Sequence, residues 1–286
     1  MRIIYSLEEI GTIIKEFKQK GQKTGFVPTM GALHDGHISL VKHAKAENDI
    51  VVVSIFVNPT QFNDKKDLAN YPRMIEKDIA LLQSYNVDYI FAPDEQEMYP
   101  ESDSRMPDNM VFEFGDLDKI LEGKYRPGHF NGVAQIVYKF FKFLNPDKAY
   151  FGEKDFQQVI IIKHLIKTLN LNIEIVSCPI VRESDGLAMS SRNMLLLPDQ
   201  RKSAILISRS LRDSLNYIDK LSIAGLKEMV CNNINKDNLL EVEYFEIVND
   251  TTLLPVSSWN DPAGKVGLIA VRIGKIRLID NIRYNA

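Results

Sequence analysis

Residues 50–57 read IVVVSIFV, and this run constrains the fold more than any other segment. A strand with one face in water alternates apolar and polar residues. A run that is almost wholly apolar and rich in β-branched residues suits a central parallel strand covered on both faces. Asn58-Pro59 stops it. Further strands are expected at 23–27, 87–91, 149–151 and 173–181. Helical spacing occupies the intervals: 7–17 after a Ser6/Glu9 capping box and before Gly21, then 38–46, 71–85 from Tyr71-Pro72, 131–143 and 156–169. A short strand at 111–114 and a short helix near Leu117 follow a polar loop, 93–109. This alternation predicts an α/β fold with a parallel sheet, whose ligands sit at the carboxyl ends of the strands.

The pattern changes beyond residue 180. Helices are expected at 199–220 and 223–235, and strands at 241–248, 265–273 and 275–279, with Gly274-Lys275 as a hairpin turn. We therefore expect two domains: 1–180, a Rossmann-like parallel-sheet domain, and 181–286, a smaller α+β domain, joined near 179–182. Trp259 and the Phe140, Phe141, Phe143 group fit a core better than a cofactor stack. The residues from Asn281 onward read as a tail of the last strand.

The 286 residues carry 35 basic and 38 acidic side chains, a net charge of −3, with 45% hydrophobic residues. Such a chain has a substantial core and no overall basic field, so nucleic acid is not expected as a partner and any anion site must be local. No apolar run approaches the roughly 20 residues that span a bilayer, so no membrane partner is expected. The start of the chain lacks a signal-peptide core. Two distant cysteines, Cys178 and Cys231, fit a reducing compartment. A cytoplasmic location is expected.

Three loops at strand ends carry unusual polar residues. The first, PTMGALHDGH at 28–37, runs from a strand through Gly31 and Gly36 into a helix, with His34 and His37 at the helix start. Free amides and the positive dipole end favour phosphate there, and two imidazoles can donate to charge growing on phosphorus. The spacing also suits a metal pair, though no third ligand is evident nearby, and the plainer reading is two capping histidines. The second loop carries Asn58, Thr60 and Gln61, either an amide site or a strand-ending turn. The third, GEKDFQQ at 152–158, sets Lys154 and Asp155 at a helix start, for phosphate and ribose or simply as a cap and a solvated lysine. Farther on, Ser190, Ser191 and Arg192 follow Gly186 as an anion clamp with room to move, or a surface turn. Arg126 and His129 form an ordinary loop or a mobile gate.

Several longer motifs stand in order: PTMGALHDGH, VVSIFVNPTQF, YPR at 71–73, LEGKYRPGHFNGV, YFGEKDFQQ, DGLAMSSRN and RLIDN. Together, over essentially the whole length, the chain resembles the pantoate–β-alanine ligase (pantothenate synthetase) family. The resemblance implies a Rossmann-like domain with a smaller lid, a cytoplasmic homodimer, and ATP as co-substrate with Mg2+ on its phosphates. It also implies the reaction: pantoate attacks the α-phosphate of ATP to give pantoyl-adenylate and pyrophosphate, and β-alanine then displaces AMP.

Carried onto these positions, the resemblance implies a proton-donor role for His37, with His34, Lys154 and Arg192 completing the catalytic set. Met30, Gly31, Ala32, Leu33, His34, Asp35, Gly36 and His37 would line the ATP site. So would Gly152, Glu153, Lys154, Asp155, Val181, Met189, Ser190, Ser191 and Arg192. Gln61 and Gln158 would hold pantoate, and Gln61 with Asn58 would meet β-alanine. A nucleotidyltransferase of the same H-x-G-H type, or a non-catalytic nucleotide-binding protein, remains the alternative on the short motif alone.

Overall fold

The computed structural model describes residues 1–100 and 110–284. The 101–109 part of the polar loop, and the last two residues of the tail, lie outside them. Nine strands are described: β1 (Arg2–Ile4), β2 (Thr24–Thr29), β3 (Ile50–Ile55), β4 (Tyr89–Phe91), β5 (Lys148–Gly152), β6 (Glu174–Cys178), β7 (Leu240–Asn249), β8 (Lys265–Ile273) and β9 (Ile276–Arg283). The α-helices are α1 (Leu7–Gln19), α2 (Asp35–Glu47), α3 (Lys65–Asn70), α4 (Ile75–Ser84), α5 (Glu95–Met98), α6 (Glu122–Tyr125), α7 (His129–Leu144), α8 (Phe156–Thr168), α9 (Pro198–Ser214) and α10 (Ile223–Asn235). The chain divides into two compact units. One comprises residues 1–153 with 158–179, the other 154–157 with 180–286.

The first unit is built on a six-stranded sheet in the order β1-β4-β3-β2-β5-β6, with every pairing parallel. The apolar run at 50–57 supplies a central strand, as its composition requires. Val52 joins Phe26, Phe91 and residues of α1 and α7 in one core. Val51 and Val53 join Val27, Ile90 and residues of α2 and α4 in another. Each such side chain taken from water contributes roughly 1.5–3 kcal/mol, so both faces of β3 are committed. The chain leaves β2 toward β3 on one side and later returns to β5 on the other. The topological switch point therefore lies between β2 and β5. Their ladder pairs only Gly25 with Lys148 and Phe26 with Ala149. Pro28, which has no amide hydrogen to offer, sits beyond it.

The second unit packs α9 and α10 on the antiparallel sheet β7-β8-β9. Trp259 lies against this core and donates from Nε1 to Leu221 O at 2.8 Å, while Phe140 and Phe141 are buried in the first unit. Gly274 makes the β8–β9 turn with φ +61°.

Four local expectations need correction. No helix starts at Tyr71-Pro72: α3 ends at Asn70 and α4 begins at Ile75. Proline disfavours a helical residue before it, and Tyr71 is extended (φ −64°, ψ 127°). Arg73 folds back to donate to the Leu68 and Tyr71 carbonyls. Residues 111–114 are not a strand. The Phe112 amide donates to Asn131 Oδ1 and the Met110 carbonyl accepts from Gln135 Nε2, so side chains of α7 take the place of a strand partner. The stretch around Leu117 is a turn, with α6 following it. Strand β9 also runs past 279 and carries Asp280 and Asn281 into the sheet opposite Ile269 and Leu268.

Candidate active site

Because the large sheet is wholly parallel, the loops after β2, β3 and β5 leave at one edge. The loop after β2 is held in an uncommon backbone conformation. Gly31 has φ +77° and Ala32 has φ +48°. A Cβ on Gly31 would lie 3.0 Å from Asp78 Oδ2 and 3.1 Å from Ile55 Cγ2. Thr29 Oγ1 donates to Ser54 O at 2.6 Å and accepts the Gly31 amide at 3.2 Å. Asp78, on α4 and only 2% exposed, accepts the Ala32 amide at 2.9 Å and the Leu33 amide at 2.8 Å. Burial pushes its carboxyl above the usual aspartate range, and the two amides oppose that shift. No motif in the sequence marks Asp78, because it acts on a loop 45 residues away from another element.

The two histidines occupy the start of α2, and their capping role fixes their chemistry. His34 is the N-cap, and its Nδ1 accepts the Gly36 amide at 3.1 Å. His37 Nδ1 accepts the His34 amide at 3.3 Å, and the ring centroids are 4.1 Å apart. A neutral imidazole that accepts at Nδ1 carries its proton on Nε2. Both rings are thus set as Nε2–H donors. Capping and anion binding are compatible, because they use opposite edges of the ring.

After β3, a single 3-10 turn (Pro59–Gln61) presents Gln61. Its Nε2 donates to Met30 Sδ at 3.1 Å, which ties the β3 loop to the β2 loop. Its Oε1 accepts from Asn58 Nδ2 at 3.1 Å. Its carbonyl accepts from His129 Nδ1 at 2.8 Å, so His129 Nε2 receives Arg126 Nη1 at 3.1 Å. Glu122 stands 3.7 Å from Arg126. Arg126 and His129 thus act as a brace behind Gln61, a role that their loop position did not suggest. Gly132 lets α7 approach this turn: a Cβ there would fall 2.3 Å from Thr60 O.

After β5, a Cβ added to Gly152 would meet nothing within 4 Å, which leaves open space beside the strand end. Glu153 opens the next 3-10 turn (Glu153–Asp155), and Gln158 is part-buried in the first turn of α8. These residues and Met30 to His37 flank the switch point of the first unit.

The remaining expected residues belong to the second unit. Lys154 Nζ meets Asp155 Oδ2 at 3.1 Å, and Lys154 O accepts from Asn281 Nδ2 at 3.2 Å. Asp280 makes a bidentate pair with Arg182 at 2.7 and 3.0 Å. Burial raises the Asp280 carboxyl, and Arg182 opposes the shift. Asn281, expected to begin a tail, is therefore instead part of β9 and holds the lysine loop. Val181 O accepts the Met189 amide at 3.0 Å. Ser190 Oγ accepts the Arg192 amide at 3.3 Å and caps a short 3-10 helix (Ser191–Leu195). Gly186 turns the segment at φ +95°, close against Arg212. Arg201 pairs with Glu183 at 2.7 Å and Asp185 at 2.6 Å, and Asn193 donates to Glu183 at 2.7 Å.

The sequence model of the family Pantoate-beta-alanine ligase matches residues 2–283. The chain belongs to this family. Its members include the pantothenate synthetase of Bacteroides thetaiotaomicron, 48% identical over 284 residues and 99% of each chain. That of Phocaeicola vulgatus is 49% identical over 285 residues, again 99% of each chain. The crystal structure of pantothenate synthetase from Thermus thermophilus superposes with a TM-score of 0.92 at 40% identity, covering 100% of both chains. Pantoate-beta-alanine ligase from Francisella tularensis, solved as a complex with beta-gamma ATP and beta-alanine, has a TM-score of 0.83 at 39% identity, over 99% of this chain and 98% of that one. The pantoate–β-alanine ligase family therefore accounts for the motifs and the fold together.

Proposed function

We propose that the protein joins pantoate to β-alanine with ATP, through pantoyl-adenylate, and that the loops above are its site. The observation that carries this reading is the pairing of two Nε2–H imidazoles at a helix start with an amide donor, Gln61, anchored on the adjoining loop. One suits a phosphate whose charge grows during reaction, the other a small carboxylic acid.

In the first step a pantoate carboxylate oxygen bonds to the α-phosphorus and the bond to pyrophosphate breaks. His37, His34, Lys154 and Arg192 stabilise charge on the phosphoryl oxygens, His37 as the proton donor to the departing side. Residues 30–37, Gly152, Glu153, Asp155, Val181, Met189, Ser190 and Ser191 form the nucleotide site. Gln61 and Gln158 orient pantoate, so that attack becomes a matter of placement. In the second step the β-alanine nitrogen bonds to the acyl carbon, the bond to AMP breaks with its electron pair leaving on the AMP phosphate, and the nitrogen gives up its proton to water. Gln61 lies along the β-alanine approach, and Asn58 acts there through Gln61.

Among the described residues no three His, Cys, Asp or Glu side chains gather into a metal cage. Mg2+ is proposed, from the family resemblance, as an ion carried by the ATP phosphates and water, which is its common habit. We further propose a cytoplasmic homodimer with residues 1–180 binding ATP and pantoate and residues 181–286 serving as a lid. Among the described residues no helix is long and apolar enough to cross a membrane.

Purified protein given pantoate, β-alanine and ATP should release AMP and pyrophosphate in equal amounts. ADP and phosphate as products would overturn the reading, and a product that retains AMP would indicate nucleotidyl transfer.

A further inference from the structure

We infer that Tyr99 is a positioning residue that fixes the Gln61 amide with its Oε1 turned inward and its Nε2–H as the donor to the ligand; this rests on the ligase reading above. The orientation of an amide is settled by its unambiguous partners. Asn58 is 1% exposed, and its Nδ2 donates to Gly132 O at 3.1 Å. A backbone carbonyl only accepts, so Asn58 Oδ1 faces the other way, where it takes the Tyr99 hydroxyl at 2.7 Å and Thr60 Oγ1 at 3.1 Å. The second Nδ2 proton of Asn58 then goes to Gln61 Oε1 at 3.1 Å. Gln61 Oε1 is held inward by this bond, and Nε2 is turned toward Met30 Sδ.

Tyr99 is itself pinned. Lys139, buried on α7, stands 4.1 Å over its ring and donates to Met98 O at 2.6 Å. The chain of contacts thus runs Lys139, Tyr99, Asn58, Gln61. Its consequence is polarity. With Oε1 engaged by Asn58, Gln61 offers its remaining Nε2–H first, which favours carboxylate and hydroxyl oxygens over an ammonium. The amide is set for pantoate, and for β-alanine it favours the carboxylate end.

The test is a double-mutant cycle with Tyr99→Phe and Gln61→Ala, read as pantoate binding by calorimetry and as KM and kcat for pantoyl-adenylate formation. Loss of one neutral hydrogen bond should weaken pantoate binding about fivefold in Tyr99→Phe. KM for ATP and kcat should move less than about twofold. In the Gln61→Ala background the tyrosine substitution should have an effect below about twofold, since its route is gone. Thr60→Ala removes the other donor to the same oxygen from an exposed position, and should weaken pantoate in the same direction even if Tyr99→Phe folds poorly. Equal effects of Tyr99→Phe with and without Gln61, or unchanged pantoate binding in both Tyr99→Phe and Thr60→Ala, would overturn the inference. Failure of the unmodified protein to form pantoyl-adenylate would instead overturn the ligase reading.

Discussion

The Asp78 carboxylate accepts the amide of Ala32 at 2.9 Å, reaching from α4 to the loop that ends β2. Since Ala32 sits at φ +48°, a conformation that an L-residue adopts at a cost, the bond holds the loop where it would otherwise relax. Asp78→Ala should lower kcat/KM at least about tenfold, because the histidines that follow the loop lose their placement. Steady-state kinetics on the folded variant checks this. Unchanged kcat/KM would remove Asp78 from the positioning role.

His37→Ala removes a proposed phosphate donor and one half of a capping pair. We expect adenylation to slow by about 100-fold or more, with a stability loss of about 1 kcal/mol from the vacated cap. Rapid-quench measurement of pantoyl-adenylate alongside a thermal melt separates the two effects. Near-normal turnover would end the catalytic assignment.

Gly132→Ala would drive a methyl group into the Thr60 carbonyl, 2.3 Å from the ideal Cβ. The turn that carries Gln61 must shift or α7 must withdraw. Overpacking of this kind costs about 1–3 kcal/mol, and pantoate binding should weaken with it. Denaturant melts and calorimetry test both. A variant as stable as the parent would mean that the turn yields freely.

Arg182→Met strands the Asp280 carboxylate in the second unit. Asp280 already has a raised folded-state pKa, so the stability that it contributes is fully present below the ordinary aspartate value of 3.8 and is lost as pH rises through the folded value. Without the opposing guanidinium that value climbs further. The variant should lose about 3–5 kcal/mol near neutral pH, and the gap to the parent should narrow on acidification. Thermal melts across a pH series give the answer. A gap that is constant with pH would show that Asp280 stays in one protonation state.

Much of the architecture was legible because its signals are local. The both-faces burial of Val51, Val52 and Val53, the Ser6 cap, the Gly274 turn and the strand–loop–helix around His34 each follow from neighbours within a few residues. The failures came where distant side chains intervened. Asn131 and Gln135 satisfy the backbone that resembled a strand at 111–114. At 71–74 the miss was instead local: Pro72 keeps Tyr71 extended, and Arg73 donates back to the Leu68 and Tyr71 carbonyls. At the site, motif order led to His34, His37, Gln61 and Lys154 but not to Asp78 or Tyr99, and it gave no hint that His129 braces Gln61 or that Asn281 holds the Lys154 carbonyl.

By itself the sequence determined the parallel α/β class, the smaller α+β portion and the family, and it named the candidate site residues. Tertiary structure alone decided the states of those residues: the Nε2–H form of the two imidazoles, the inward turn of Gln61 Oε1 and the clamp on residues 31–33. The reason is physical. Hydrophobic periodicity acts along the chain, whereas an amide's orientation depends on partners such as Gly132 O, which is 74 residues from Asn58 and meets it only in the fold.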